Sequence, residues 1–474
     1  MISKRSMVDS LYLIGCSIFI GIAVLGGAVL NSTVMFLPIY LISIILSAGL
    51  TYKMFFSKEQ LNDMGIVLLL PSVLSAVQNI YLALIASQLS VGVLQLLLVI
   101  NFVLGVLYVL FFAVQDVMQK KVYDRYVAKL ILLIAAEVFY GAFLFILYGG
   151  SISAMISSMR NLFSLFLFTI VGIKAYEKMD VKHFLRLICI ILFIVMIVGL
   201  YQRFINPDMW IELNISELWN KKGIVTEVGA LPVNHTASEP IGGKWWLRMT
   251  STFADPVNLG TFLFAGFMVA WYLKKKWLCL LTVVGIMLVI SKGALLGIFV
   301  FSVLYCYYKM PKSFFWGMSV ACVLAGIAFL IYSYTIGGGS VFVHISGFFT
   351  ALEVLWTKPL GYGIGNIGTL AMVMGMTQDV AIYESGLGMI IGQLGVVGTL
   401  IYLYFFGTLV FYLSKLKNVK DRIFAMTLLW AIVANLMFNE VALSPNSSAI
   451  YFMLIGLWVA KARAGEQTII YSNV

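Results

Sequence analysis

The sequence predicts an all-α, polytopic membrane protein: a single integral membrane domain over residues 1–474 with about 14 transmembrane helices and two large extracytoplasmic loops containing short interfacial helices. Three observations predict it. Of 474 residues, 62% are hydrophobic and 11% charged, well short of the roughly 25% charge with which a soluble domain covers its surface. Apolar stretches of about 20 residues, each able to cross a ~30 Å hydrocarbon core, recur along the whole length. Basic residues alternate between poor and rich loops as a chain threading a bilayer requires.

In chain order the spans are expected near 11–31, 34–52, 64–86, 92–114, 128–148, 158–173, 184–204, 252–273, 277–291, 294–308, 314–335, 385–412, 423–441 and 449–460. The stretch from Leu11 lacks a small-residue cleavage site and is followed by many like it, so it reads as a retained span. The five cysteines, Cys16, Cys189, Cys279, Cys306 and Cys322, all fall inside apolar runs, with no Cys/His metal spacing, and read as packing residues. The net charge of +11 is explained by loop sidedness, which removes the need for a nucleic-acid partner. With Lys4 and Arg5 placed inside and the spans alternating, 23 of the 31 basic residues fall inside and 8 outside. Both termini are therefore expected in the cytoplasm.

Two long polar segments emerge on the outer side, about 205–250 and about 336–384. Long structured loops are where function concentrates. Their tryptophans (Trp210, Trp219, Trp245, Trp246, Trp356) suit helices at the membrane–water boundary. In "DMWIELNISELW", Met209, Trp210, Leu213, Leu218 and Trp219 share roughly one helical face.

Arg160, Arg203 and Arg248 are expected at or beside outer span ends, with Lys292 in a short turn, "VISKGALLG". Each arginine can snorkel to the interface. Together they can converge on an anion, since a guanidinium fork binds phosphate oxygens bidentately. "RMTSTFADPVNLGTFL" (248–263) also announces a helix start: Thr250, Ser251, Thr252 and Asp255 can cap, Pro256 suits a first turn, and Asn258 follows. "PLGYGIGN" (359–366), with Gly363, Gly365 and Asn366, is a turn that can bring backbone close to a ligand.

In "IYESGLGMIIGQLGVVG", Glu384 stands at the outer threshold of a span, and Gly388, Gly392, Gly395 and Gly398 allow close helix packing. Glu384 is either a partly desolvated general base or a helix-start carboxylate. His344 is the other neutral-pH base of its loop, while His235 and His183 are less pointed. Asn435, Asn439 and Glu440 at an outer helix end can bind sugar hydroxyls or join helices. Glu137, near mid-span, is a functional candidate or a hydrogen-bonded structural group.

"RMTSTFADPVN" before a span resembles the Arg…Phe…Pro…Asn element of bacterial O-antigen polymerases and O-antigen ligases. "SKG" at 291–293 resembles their turn two spans later. "HISGFFTALEVLWTKPLGYGIGN" and "ESGLGMIIGQLGVVGTLIYL" resemble their large outer loop and the following span. The motif-bearing resemblance covers about residues 245–410. Two departures stand out. This chain has His344 where the family often has arginine, and Glu384-Ser385 where the ligases carry a His-Asn pair.

The resemblance implies a polymerase of lipid-linked repeat units in the bacterial cytoplasmic membrane, with an extracytoplasmic active site, making capsule, exopolysaccharide or O-antigen. Its donor is expected to be an oligosaccharide on undecaprenyl diphosphate, whose diphosphate is both handle and leaving group. Arg248, helped by Arg160, Arg203 and Lys292, is expected to stabilise that charge. Glu384 or His344 would deprotonate the acceptor hydroxyl, with inversion and with no metal or cofactor. Asn258, Gly363, Gly365, Asn366, Asn439 and Glu440 are expected to line the glycan side. Membrane lipids, a chain-length regulator and a flippase are the expected partners. A ligase acting on a different acceptor, or a lipid-linked oligosaccharide flippase, are the alternatives. A flippase would need a charged central cavity and two similar halves.

Overall fold

The computed structural model describes residues 62–120, 124–224, 226–237, 245–317, 319–321, 324, 339–368, 371 and 385–472. The expected spans 11–31 and 34–52 and most of 314–335 lie outside the described residues. Among those described the chain is helical, with one isolated antiparallel bridge between Thr236 and Leu247. The helices are α1 (Asn62–Leu84), α2 (Val91–Leu98), α3 (Ile100–Met118), α4 (Arg125–Tyr148), α5 (Ile152–Ala175), α6 (Val181–Phe204), α7 (Met209–Glu212) and α8 (Ile215–Lys221). They continue with α9 (Pro256–Tyr272), α10 (Lys276–Val289), α11 (Lys292–Lys309), α12 (Gly339–Thr357), α13 (Gly386–Ser414), α14 (Val419–Phe438) and α15 (Pro445–Ser472).

Six of these, α3, α4, α5, α6, α13 and α14, are long and apolar enough to cross a membrane. Three shorter apolar helices accompany them, at 68–84, 256–272 and 276–289. The outward faces agree with a lipid environment. Leu132, Phe139 and Ile146 on α4 are 69%, 74% and 83% exposed, a stripe that water would not tolerate. By contrast, 72% of the apolar window of α5 is buried against 22% for α4. α5 is therefore central and α4 peripheral. The closest partner of α5 is α15. A side chain on Gly172 would collide with the Met453 carbonyl, and one on Gly456 with the Thr169 carbonyl. Glycines at that crossing let the two backbones touch.

Four local features depart from expectation. The span expected at 92–114 is two helices, α2 and α3, separated at Val99. The break frees the Leu98 carbonyl, which accepts from Arg160 Nη1 at 3.4 Å. α5 begins at Ile152, capped by Ser151, so Arg160 lies two turns inside the helix instead of at its outer end. The second polar segment contains a nineteen-residue helix, α12, packed along α13 and α14. α13 is interrupted at Gly395, which has φ 57° and ψ −146°.

That interruption explains the glycine-rich turn. Val396 N–H donates to the Pro359 carbonyl at 2.8 Å, and Tyr362 N–H donates to the Gly392 carbonyl at 2.8 Å. Gly363 N–H reaches the Gln393 carbonyl at 3.1 Å, and Gly365 N–H reaches Gln393 Oε1 at 3.2 Å. The backbone groups released by the broken helix are thus satisfied by the loop. The glycines of "GQLGVVG" are expected from the sequence to permit helix–helix approach. Gly395 instead admits a loop into a gap in the helix.

Charged residues separate to the two ends of the bundle. At one end Arg463 forks onto Asp124 at 2.8 and 2.9 Å, Lys461 pairs with Asp421 at 2.7 Å, and Lys174 pairs with Asp116. Toward the other end lie Arg248, Lys292, the 205–255 segment and the starts of α5, α9, α11, α13 and α15. Glu137 is fully buried between them, with Tyr402 Oη 3.1 Å from its Oε1.

Candidate anion site at the mouth of the bundle

The 205–255 segment is built on its own small core. "DMWIELNISELW" does not form one amphipathic helix. Asn214 adopts a left-handed conformation, φ 60°, and splits it into α7 and α8. Trp210, expected at the membrane boundary, is fully buried with Ile215 and Leu218 against Leu82, Leu94 and Leu97 of α1 and α2. Trp245 and Trp356 do stay exposed. Lys221 Nζ caps the turn after α1, donating to the Ser87 and Leu89 carbonyls at 3.1 and 2.7 Å. These contacts fix the segment on the bundle and bring Lys222 inward.

Arg248 is held at this mouth by backbone. Its N–H donates to the His235 carbonyl at 2.7 Å. Its guanidinium donates from Nε to the Val289 carbonyl at 2.9 Å, from Nη2 to Ile290 at 3.3 Å, and from Nη1 to Asn234 at 3.2 Å. Val289 and Ile290 end α10, so Arg248 caps that helix's unpaired carbonyls. Burial lowers its pKa, with Asp255 acting in the opposite sense. A guanidinium so fixed remains charged at neutral pH.

Asp255 is the cap that "FADPVN" announces. It accepts from the N–H groups of Val257 and Asn258 at 3.3 and 3.1 Å, with Pro256 in the first turn. It also accepts from Asn234 Nδ2 at 3.2 Å and from the Asn258 amide. Burial raises its pKa despite those donors and Arg248. Lys222 Nζ donates to Asn79 Oδ1 at 3.0 Å, and the Asn79 amide reaches back to the Phe253 carbonyl. Burial lowers the Lys222 pKa to about 8; Asp255 opposes this and Arg160 adds to it. Arg160 holds Asn161 Oδ1 as well as Leu98. Lys222 and Arg248 therefore both act on one carboxylate, Asp255, and Arg160 lies near enough to Lys222 to repel it. The mouth carries an excess of positive charge, and the start of α9 adds to it.

Not every expected residue joins this cluster. The Arg203 guanidinium lies 5.6 Å from the Phe204 ring, and among the described residues nothing connects it to Arg248. Its neighbour Gln202 is the one that faces inward, accepting from Thr250 N–H at 3.0 Å. Lys292 opens α11, two residues beyond an Arg248 acceptor, and is exposed. Gly363 and Gly365 take φ 94° and 80°, and Asn366 donates to the Gly149 and Tyr362 carbonyls at 3.3 and 3.0 Å. These three serve the loop that closes on α13. Asn439 caps the 3-10 turn Glu440–Leu443, accepting from Val441 N–H at 2.8 Å. That turn contacts α5, α9, α13, α14 and α15, which puts Glu440 where the helices converge.

Glu384 lies outside the described residues; Ser385, which follows it, caps α13 and lies 3.5 Å from the Leu436 carbonyl. His344 lies on α12. No protein-family model matches this chain, and no curated protein matches it. The site stands on its own geometry.

Two of its members, Lys222 and His235, were not singled out by the sequence as site residues. Lys222 meets Asn79 across 143 positions. His235 Nε2 lies 2.9 Å from the carbonyl of Ala254, which has φ 54° and turns the chain into the Asp255 cap. Only a partial signal existed for them, the Lys-Lys-Gly and Asn-His pairs inside an otherwise apolar chain.

Proposed function

We propose that the chain is a glycosyltransferase that polymerises lipid-linked repeat units in the bacterial cytoplasmic membrane. It transfers a glycan from undecaprenyl diphosphate to a hydroxyl of another lipid-linked unit. The observation that carries this reading is the cationic mouth on an apolar bundle: Lys222 and Arg248 held by amide and backbone partners near the Asp255 carboxylate, with Arg160 beside Lys222. Fixed donors and charges of this kind stabilise an anion that grows in the transition state without reorganising. A polyprenyl tail would lie along the exposed apolar faces of the helices.

In the reaction the acceptor oxygen attacks the anomeric carbon from the face opposite the diphosphate. The bond between carbon and diphosphate oxygen breaks, and undecaprenyl diphosphate leaves with both electrons of that bond. The acceptor proton passes to Glu384, with His344 as the alternative base. Glu440 is a third candidate base to compare, because its turn meets five helices at the same end.

The test is reconstitution with a lipid-linked oligosaccharide. The wild type should release undecaprenyl diphosphate and lengthen glycans, and Arg248→Ala should slow both by about 10²–10³-fold while the protein still inserts. Glycans of ordinary length from Arg248→Ala would remove the assignment. Glu384→Gln should lower turnover more than donor binding. If it changes neither while Glu440→Gln does, the base is Glu440.

A further inference from the structure

The end of the bundle opposite Arg248 contains a second cationic feature, which the reading above does not use. A cavity of about 510 Å³ opens there between the ends of α6, α9, α14 and α15. Lys182, Lys274, Lys420 and Lys461 line it. Its aromatic members are organised by one buried acid. Asp421 Oδ1 accepts from Tyr272 Oη at 2.7 Å and from Trp458 Nε1 at 3.2 Å, while Oδ2 pairs with Lys461 at 2.7 Å. The three donors satisfy Asp421, and Asp421 in turn neutralises Lys461.

Lys182, Lys274 and Lys420 remain, and among the described residues none of them pairs with a carboxylate. Lys182 and Lys274 are exposed, and Lys420 Nζ stands 4.7 Å over the Tyr272 ring. Three like charges around one concavity repel each other unless an anion sits between them. Leu185 and Leu457 form an apolar wall beside them, the pairing that a lipid headgroup with its first carbons requires. Basic pockets between membrane helices hold such headgroups.

We propose that this cavity is a phosphoryl-binding site, its three unpaired lysines taking the phosphodiester of an acidic lipid headgroup or a soluble phosphate. Lys461, Asp421, Tyr272 and Trp458 form its rigid floor. The proposal requires only that the helices sit in a bilayer, and it is independent of any transferase activity.

The experiment uses the full chain in neutral detergent, with bound phosphatidylglycerol counted by native mass spectrometry and phosphatidylcholine as the uncharged control. Lys182→Ala, Lys274→Ala and Lys420→Ala should each weaken phosphatidylglycerol retention about fivefold. Lys309→Ala with Lys312→Ala, exposed lysines elsewhere at that end, should leave it unchanged. Inorganic phosphate separates the sources. Failure of millimolar phosphate to displace the lipid identifies a lipid site, whereas displacement with the same lysine dependence identifies a site for soluble phosphate. Equal retention by the wild type and by a variant combining Lys182→Ala, Lys274→Ala and Lys420→Ala, or equal retention of phosphatidylcholine, would overturn the proposal.

Discussion

His235 shows how a single side chain can set the shape of the candidate site without touching a substrate. It is fully buried, and its Nε2–H holds the Ala254 carbonyl on the approach to the Asp255 cap. Burial lowers its pKa from the ordinary 6.5 to about 4, against the Ala254 hydrogen bond and with Arg248 adding to the effect. The fold therefore favours neutral imidazole. Between those two values the folded chain binds fewer protons than the unfolded chain, so stability rises with pH. The contribution, on the order of 3 kcal/mol, is complete above 6.5 and is lost as pH falls toward 4. Thermal unfolding followed from pH 7 to 4.5 should show the 233–255 segment loosening first. His235→Gln keeps a donor for Ala254 and should flatten that dependence; an unchanged acid loss would assign it to another group. The Asp255 cap was legible in the sequence because Asp-Pro before an apolar run is a local signal. His235 and Lys222 were not, because their partners come from distant parts of the chain and their meaning exists only after folding.

Helices were legible wherever a long apolar run made them, and illegible where a helix breaks inside such a run. The stop at Val99 and the interruption at Gly395 leave the hydrophobic pattern intact, since the residues on both sides of each break, Leu98 and Ile100, Leu394 and Val396, are apolar. What decides them is a backbone partner elsewhere: Arg160 for the Leu98 carbonyl, and the 359–365 turn for residues 392–396. Gly395→Ala tests this. A side chain there is strained at φ 57° and collides with the Pro359 carbonyl. The substitution should cost about 1–3 kcal/mol and free the turn. The readouts are a lower unfolding midpoint in detergent and faster hydrogen exchange at 359–368. Gly172→Ala, at the crossing of α5 with α15, should cost a similar about 1–3 kcal/mol by overpacking, but with exchange unchanged in the distant turn. If both variants melted like the wild type, these glycines would be incidental to packing.

At the scale of the molecule, the alternation of basic loops predicted in the sequence agrees with the way charge divides between the two ends. Arg125, Lys174, Lys182, Lys461 and Arg463, placed on one face by the alternation, converge at one end, and Arg248 and Lys292 lie at the other. Such an arrangement survives in a bilayer because each end meets water while the apolar flanks of α4 and α6 meet lipid. The proposed transferase requires one orientation, with the Arg248 end outside, where lipid-linked donors are polymerised without nucleotide sugars. Single cysteines on a cysteine-free background decide it. Val233 is 88% exposed at the Arg248 end, and Lys312 is exposed beyond α11 at the other. An impermeant maleimide should label Val233→Cys on intact cells, and Lys312→Cys only after permeabilisation. The reverse pattern would turn the cationic mouth toward the cytosol. In that case the same fixed charges would face soluble nucleotides and phosphates, and the polymerase reading would fail even with every contact described here intact.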